Sequence, residues 1–153
     1  MAEAQALNQA VEALIGRELI CESWEVSKEA IARLAEAVGD PNPLWQDERQ
    51  AWQTRFGGVI APPTFVAAQH GDMLLEKIAA LNLPFTRVLN GGNEIEFFQP
   101  VRPGDMIIAR GKLAEAKMRQ GSQGRLLFLV LEMTYTNQRG ETVLVCRNTL
   151  VYS

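Results

Sequence analysis

The segment Gly39-Asp-Pro-Asn-Pro-Leu-Trp45 places two prolines and two short polar side chains directly after a stretch with helical periodicity. That stretch begins after Ser27, a residue type that caps helices. Its apolar positions repeat at helical spacing: Ile31, Leu34, Ala35 and Val38. Gly39 can adopt the left-handed conformation that ends a helix. Asp40 and Asn42 are therefore predicted to lie in a loop after a helix, where binding and catalytic side chains are often found.

The chain on either side of this loop predicts further helices and one strand. Upstream, residues 4–15 have helical spacing and are followed by Gly16, and residues 19–26 are typical of a short strand. Downstream, a short polar helix is predicted at 47–55, followed by the Gly57-Gly58 break. A long helix is predicted over 64–81. Because that helix is apolar on most sides, we expect it to be buried.

The second half of the sequence predicts strands. Residues 94–97, 106–113, 125–136 and 142–152 carry alternating or continuous apolar patterns. The turn 137–140 joins the last two as a short hairpin. The predicted fold class is therefore α+β: one domain over residues 1–153, with a curved antiparallel sheet wrapped around the central helix. Because such a sheet leaves edges exposed, we expect two subunits to pair into a dimer.

Composition excludes several classes of function. The net charge of −3 argues against a nucleic-acid partner, since such proteins carry a basic surface. One histidine, His70, and two separated cysteines, Cys21 and Cys146, cannot supply the four ligands of a structural zinc site. Both thiols are predicted to be free and buried. With no signal peptide and no apolar run long enough to span a membrane, the protein is expected to be cytoplasmic.

Four motifs resemble one known family. Gly39–Trp45 is similar to the hydratase signature Asp-x-Asn-Pro-x-His of MaoC-like proteins. Ile60-Ala-Pro-Pro-Thr-Phe65 resembles the start of the central helix in the N-terminal-domain branch of that family, and Glu96–Asp105 and Tyr135–Gly140 are also typical of that branch. Together they lie within residues 20–152. The chain thus resembles the MaoC-like (R)-specific enoyl-CoA hydratases/dehydratases.

This resemblance implies a hot-dog fold, a dimeric or double hot-dog unit and a CoA-type thioester as substrate, with no cofactor. The implied reaction is the reversible addition of water across a 2,3-enoyl thioester. In active members an Asp and a His share a water molecule, and a backbone N–H at the start of the central helix holds the thioester carbonyl. The matching residues here are Asp40, as a catalytic residue, and Asn42, whose side chain would brace the loop.

Two positions depart from the family pattern. Trp45 stands where hydratases carry His, and an indole has no basic nitrogen that could exchange a proton. Trp45 is interpreted either as a packing residue or as a wall of an acyl pocket. Pro62 stands where active relatives carry the Gly that donates the N–H, and proline has none. Half of the acid/base pair and the carbonyl donor are thus missing.

Two further groups of residues are candidates for substrate contacts. Six apolar or weakly polar residues are predicted to line the acyl site: Trp45, Ile60, Ala61, Pro62, Phe65 and His70. His70 is alternatively a core or interface residue. Four basic residues flank a predicted flexible tip at 118–124 and are candidates for CoA phosphates: Lys112, Lys117, Arg119 and Arg125. A solvated basic hairpin is the alternative for these four.

Three functions are compatible with this pattern. The first is one subunit of a heteromeric enoyl-CoA hydratase, a heterodimer or heterotetramer in which a second hot-dog subunit supplies the full Asp/His pair. The second is a self-sufficient homodimeric hydratase that uses Asp40 with an unconventional partner such as His70. The third is a non-catalytic acyl-CoA-binding or assembly module.

Overall fold

The computed structural model describes residues 9–122 and 124–153. Residues 9–12 are helical, and the first part of the helix predicted over 4–15 lies outside the described residues. The helices are α1 (Lys28–Ala37), α2 (Glu48–Trp52), α3 (Thr64–Ala67) and α4 (Gly71–Ala79), with a 3-10 turn at Pro43–Trp45. The strands are β1 (Glu18–Glu25), β2 (Val88–Phe97), β3 (Met106–Gly121), β4 (Gly124–Thr136) and β5 (Thr142–Tyr152).

The strands form one antiparallel sheet in the order β1-β3-β4-β5-β2. The predicted α+β class is therefore confirmed. The hairpin between β4 and β5 turns at 137–140, where Gly140 has φ 77° and the Asn137 side chain accepts the backbone N–H of Arg139 and Glu141. Two strands are longer than predicted: β2 begins at Val88, and β3 runs to Gly121.

The single long helix predicted over 64–81 is wrong, because the chain leaves the helical path between α3 and α4. His70 has φ 62°, a left-handed conformation that an α-helix cannot contain. Tyr135 on β4 stabilises the break, since its hydroxyl donates to the Gln69 carbonyl at 2.7 Å. The apolar spacing continues across the break, so periodicity alone could not detect it.

The core lies between the helices and the inner face of the sheet, which we define as the face that carries Leu129 and Tyr135. Phe65 and Val66 of α3 and Leu74 and Ile78 of α4 are the buried residues of the broken helix. They share one cluster with buried side chains from the strands and from α1: Ile31, Ala35, Ile107, Ala109, Leu113, Leu129, Leu131, Met133, Tyr135, Leu144 and Leu150. One continuous apolar cluster holds the helices against the sheet.

Gly111 on β3 is closely packed on this inner face. A Cβ at this position would lie 2.6 Å from both Ile20 Cγ1 and Met133 Sδ. Gly111→Ala is therefore expected to lower the free energy of unfolding by about 1–3 kcal/mol through overpacking. Gly71→Ala is the matched control, because its Cβ meets no atom within 4 Å, and its stability should not fall. Urea unfolding of both variants measures this; equal stabilities would contradict it.

The outer face of the sheet carries a central ion-pair cluster around Glu132. Lys112 on β3 lies 2.9 Å from Glu132 Oε1, and Arg147 Nε on β5 donates to Glu132 Oε2 at 2.8 Å. Burial by itself would raise the pKa of Glu132. The hydrogen bonds and charges of Lys112 and Arg147 outweigh burial and hold that pKa below its ordinary value of 4.5. The paired carboxylate therefore stabilises the folded state above pH 4.5.

Glu132→Gln is expected to lower the free energy of unfolding at pH 7 by about 1–3 kcal/mol, because it removes a charge from two ionic hydrogen bonds. Since the pKa is depressed on folding, the difference from the wild type should shrink as pH falls below 4.5 and through the folded-state pKa. Glu36→Gln, at an exposed site on α1 away from this cluster, is the control and should change little. Denaturation at several pH values tests this, and a pH-independent difference would count against it.

The strand β2 is exposed along its whole length and pairs with β5 alone among the described strands. Its inner-face side chains Ile95 and Phe97 are exposed. Phe98, which follows β2, and Leu75 on α4 are exposed as well. A row of uncovered apolar side chains beside a free sheet edge is typical of a surface that another chain covers. The dimer predicted from the sequence stays a prediction.

Both cysteines are free. Cys146 is half-buried, but Cys21 is exposed, so the prediction of two buried thiols is wrong for Cys21. Cys21 lies opposite Arg110 on the outer face of the sheet, a position that the apolar neighbours in the sequence concealed. Across residues 9–122 and 124–153, no helix combines the length and the apolar character that crossing a membrane requires.

Candidate functional site

The loop from Gly39 to Trp45 is closed by its own side chains. Trp45 Nε1 donates to Asp40 Oδ2 at 2.8 Å, and the Asn42 backbone N–H donates to Asp40 Oδ1 at 3.0 Å. The Asn42 side chain accepts from the Leu44 N–H at 3.0 Å and caps the 3-10 turn. This is the bracing geometry predicted for Asn42. Both carboxylate oxygens of Asp40 thus accept hydrogen bonds within the loop.

Trp45 is a packing residue with a polar contact. Its side chain is 8% exposed and belongs to the core cluster. An indole N–H only donates, so Trp45 cannot take a proton from water and cannot replace the His of the resembled signature. The bond from Trp45 instead fixes the Asp40 carboxylate as an acceptor. The arrangement suits a structural loop better than it suits proton exchange.

An apolar cleft of about 270 Å³ opens beside the start of α3. Its walls come from the segment before α3, the end of β2 with the loop that follows, and β5: Phe56, Ile60, Ala61, Pro62, Pro63, Val66, Phe97, Phe98, Gln99, Pro100, Val101, Val143 and Leu144. Three of the predicted substrate contacts, Ile60, Ala61 and Pro62, are among them. None of the lining side chains is charged. We call this the acyl cleft, because its chemistry suits an uncharged hydrocarbon group.

Four backbone positions around the start of α3 have no free N–H. Pro62 and Pro63 have no N–H. The Ala61 N–H donates to the Val101 carbonyl at 2.7 Å, and the Phe65 N–H donates to the Pro62 carbonyl at 2.9 Å. The substitution of Pro62 noted in the sequence is therefore not compensated by the N–H of Ala61 or of Phe65.

The other predicted acyl-site residues lie away from the cleft lining. Phe65 is buried in the core and does not line the cleft, whereas its neighbour Val66 does. His70 lies at the break between α3 and α4, with its ring centroid 4.4 Å from that of Trp24. Its Nδ1 is buried and has no hydrogen-bond partner among the described residues. Asp40, Trp45 and His70 are thus outside the acyl cleft.

The four basic residues predicted to bind CoA phosphates divide between the two faces of the sheet: Lys112, Lys117 and Arg119 lie on the outer face of β3, and Arg125 lies on the inner face of β4. Lys112 is paired with Glu132. Arg119 lies over the Phe128 ring at 6.0 Å, and Arg125 follows the strand alternation of Leu127 on the opposite face of the sheet. The flexible tip predicted at 118–124 is also wrong in its bounds, because β3 continues to Gly121 and β4 begins at Gly124.

A second cleft, of about 290 Å³, lies under the start of α4 and was not predicted from the sequence. Asp72, Asn93, Cys146 and Asn148 line it together with apolar side chains of α4 and β4. Burial raises the pKa of the Cys146 thiol. These polar residues are far apart along the chain and form no local motif, so only the folded arrangement brings them together.

Comparison with known proteins places this architecture in a family. A family model described as FAS1-like, dehydratase domain region matches residues 13–145. The chain belongs to this family. Membership of this FAS1-like dehydratase-region family confirms the relationship to MaoC-like proteins that the four motifs predicted.

Curated relatives of this FAS1-like dehydratase-region chain include two informative proteins. The UPF0336 protein of Thermobifida fusca is 32% identical over 132 residues, which cover 85% of this chain and 84% of that protein. The probable enoyl-CoA hydratase alpha subunit of Thermomonospora curvata is 29% identical over 130 residues, 74% of this chain but 40% of that protein. This chain therefore matches less than half of the second relative.

A solved structure confirms the fold. A chain in the crystal structure of the ChsH1-ChsH2 complex from Mycobacterium tuberculosis superposes with a TM-score of 0.82. The match covers 97% of this chain and 91% of that chain at 18% identity. The FAS1-like dehydratase-region chain therefore has the hot-dog fold that the resemblance implied.

Proposed function

We propose that this chain is one subunit of a two-component enoyl-CoA hydratase/dehydratase, in which a second hot-dog subunit supplies the complete Asp/His pair. The observation that carries the proposal is the 2.8 Å bond from Trp45 Nε1 to Asp40 Oδ2. It puts a hydrogen-bond donor with no basic atom where the resembled signature has its base. The reaction needs acid/base groups and a thioester, and requires no cofactor.

Hydration of a 2,3-enoyl thioester needs a group that takes a proton from water and a group that delivers one to the thioester's α-carbon. Here Asp40 is bonded to Trp45 and Asn42, and the acyl cleft has no charged side chain. His70, the only histidine of the sequence, stacks on Trp24 outside that cleft. We therefore assign the proton transfers to the partner subunit.

The exposed inner face of β2 supports a partner. Ile95, Phe97 and Phe98 are uncovered, and Phe97 and Phe98 also form part of the acyl cleft. A second subunit on this face would cover the apolar row and close one side of the cleft around the acyl group. A relative whose name is an alpha subunit, and a hot-dog neighbour in the ChsH1-ChsH2 complex, support this assembly.

The acyl cleft is the contribution that we assign to this subunit. Its walls are aliphatic and aromatic side chains with Gln99 as the single polar side chain, so hydrophobic burial favours an uncharged acyl group. The alternative of a homodimer that uses Asp40 with His70 has one supporting feature, the unpartnered buried Nδ1 of His70. Activity of the chain alone separates the two.

Co-expression tests the proposal. The chain is purified alone and together with a second hot-dog subunit that carries Asp-x-Asn-Pro-x-His, and hydration of crotonyl-CoA and of bulkier enoyl-CoAs is measured. We expect activity only when both chains are present. Turnover by this chain alone would support the homodimer instead, and binding of acyl-CoA without turnover in any combination would support a non-catalytic binding module.

A further inference from the structure

Trp52 at the end of α2 is 69% exposed, the reverse of Trp45, which is 8% exposed. α2 is a short helix that follows the Gly39–Trp45 loop, with Asp47 as its N-cap. A large aromatic ring held on an ordered helix in water is a candidate contact for a ligand or partner, because tryptophan combines stacking area with little side-chain entropy.

Two arginines flank this tryptophan. Arg49 precedes Trp52 by three residues, so both side chains lie on neighbouring positions of the same helix face. Arg55 follows the helix, and its guanidinium lies 4.8 Å from the centre of the Phe56 ring. Within the described part of the chain, neither arginine takes part in an ion pair shorter than 4.0 Å.

The acidic residues of this helix are already engaged. The Asp47 carboxylate accepts the backbone N–H of Gln50 at 3.0 Å and its side-chain amide at 2.8 Å. Glu48 is paired with Lys28 at 2.9 Å. Arg49 lies close enough to Asp47 to contribute to the lowered pKa of that carboxyl, after the hydrogen bonds from Gln50. Both arginines keep guanidinium groups that can bind an anion.

Phe56 connects this surface to the acyl cleft. Its ring lies under Arg55, and the same residue lines the cleft together with Pro62 and Val66. Arg102 also contacts Phe56, because its Nη2 donates to the Phe56 carbonyl at 2.6 Å. The cleft itself has no charged lining residue, so a ligand with an apolar tail inside must keep its anionic end outside. Two guanidinium groups, those of Arg55 and Arg102, therefore contact a residue of the cleft wall.

We propose that Trp52, Arg49 and Arg55 bind the nucleotide end of the CoA thioester, with the adenine stacked on Trp52 and the phosphates on the two arginines. Guanidinium groups suit phosphate oxygens, and an exposed indole suits a purine face. This rests on the proposed function and names the part of the chain that would hold the CoA moiety.

Paired substrates test this site in the reconstituted two-subunit enzyme. The same enoyl group is offered as a CoA thioester and as a pantetheine thioester, which lacks the nucleotide. Trp52→Ala should raise KM for the CoA thioester about tenfold, the range of a lost base–aromatic stack. It should leave KM for the pantetheine thioester unchanged. Trp52→Phe keeps an aromatic face and is the matched control; it should recover most of the loss.

A binding measurement keeps the site separate from the proposed function. Adenosine 3′,5′-bisphosphate is titrated calorimetrically onto the full chain, and binding should weaken in Trp52→Ala and in Arg55→Gln. Binding that depends on Trp52 supports the site even if no partner confers hydratase activity. Equal rises in KM for both thioesters would overturn the site, and so would bisphosphate binding that these substitutions leave unchanged. Dissociation of the two subunits in Trp52→Ala would also overturn it, because it would show that Trp52 lies in a protein interface.

Discussion

Trp45→Ala is expected to lower the free energy of unfolding by about 3–5 kcal/mol, the range for removing a buried aromatic side chain. Trp45 is 8% exposed and packs in the core cluster. The substitution leaves a cavity, and it also removes the donor that Asp40 Oδ2 accepts. Urea denaturation followed by circular dichroism measures the change. A loss of this size would show that the loop from Gly39 to Trp45 is held by packing.

Two controls separate the parts of this effect. Trp45→Phe keeps one aromatic ring but removes the N–H and the five-membered ring, so we expect a smaller loss of about 1–3 kcal/mol from the hydrogen bond to a charged group and a smaller cavity. Trp52→Ala removes an exposed tryptophan from the neighbouring helix and should change stability by less than about 0.5 kcal/mol. If Trp45→Ala were no worse than Trp52→Ala, the packing role of Trp45 would be wrong.

Replacing the catalytic His of the partner subunit's Asp-x-Asn-Pro-x-His motif is expected to reduce the hydration rate of the reconstituted enzyme by about 10²–10⁴-fold, the contribution of a positioned acid or base. Asp40→Asn in this chain should leave the rate within about threefold. The reason is that Asp40 serves as the acceptor for Trp45 and Asn42 and lies outside the acyl cleft.

Stability has to be controlled in that comparison, because an asparagine at position 40 presents one acceptor where two N–H groups now donate. The assays therefore compare variants with the same secondary structure and the same subunit ratio. His70→Gln is a second control, since it removes the one histidine of the sequence, which lies outside the Gly39–Trp45 loop. A large loss with Asp40→Asn and none with the partner's His would reverse the assignment of subunits.

Much of this fold could be predicted from local patterns. The caps and apolar spacing of α1 are local, and so are the alternation of the strands and the turn around Gly140. The left-handed residue His70 was not predictable, because the hydroxyl of Tyr135 bonds the neighbouring Gln69 carbonyl and the ring of Trp24 packs against His70. Both of those contacts come from distant strands.

The sequence predicted the missing chemical groups of the candidate site but not its contacts. The absence of a base at Trp45 and of an N–H at Pro62 follows from residue chemistry alone. The bond between Trp45 and Asp40 required the folded loop. The exposure of Trp52 and the position of Phe56 at the acyl cleft depend on which surfaces the other elements cover. No local sequence pattern reports that coverage.

Under the proposed function, the partner subunit and not this chain carries the complete acid/base pair. The most direct measurement is a titration of the purified chain with its partner subunit, following hydration of crotonyl-CoA at constant concentration of this chain. We predict no turnover above the uncatalysed rate without the partner, and a rate that rises to a plateau at equimolar subunits. Turnover by this chain alone that Asp40→Asn abolishes would contradict it.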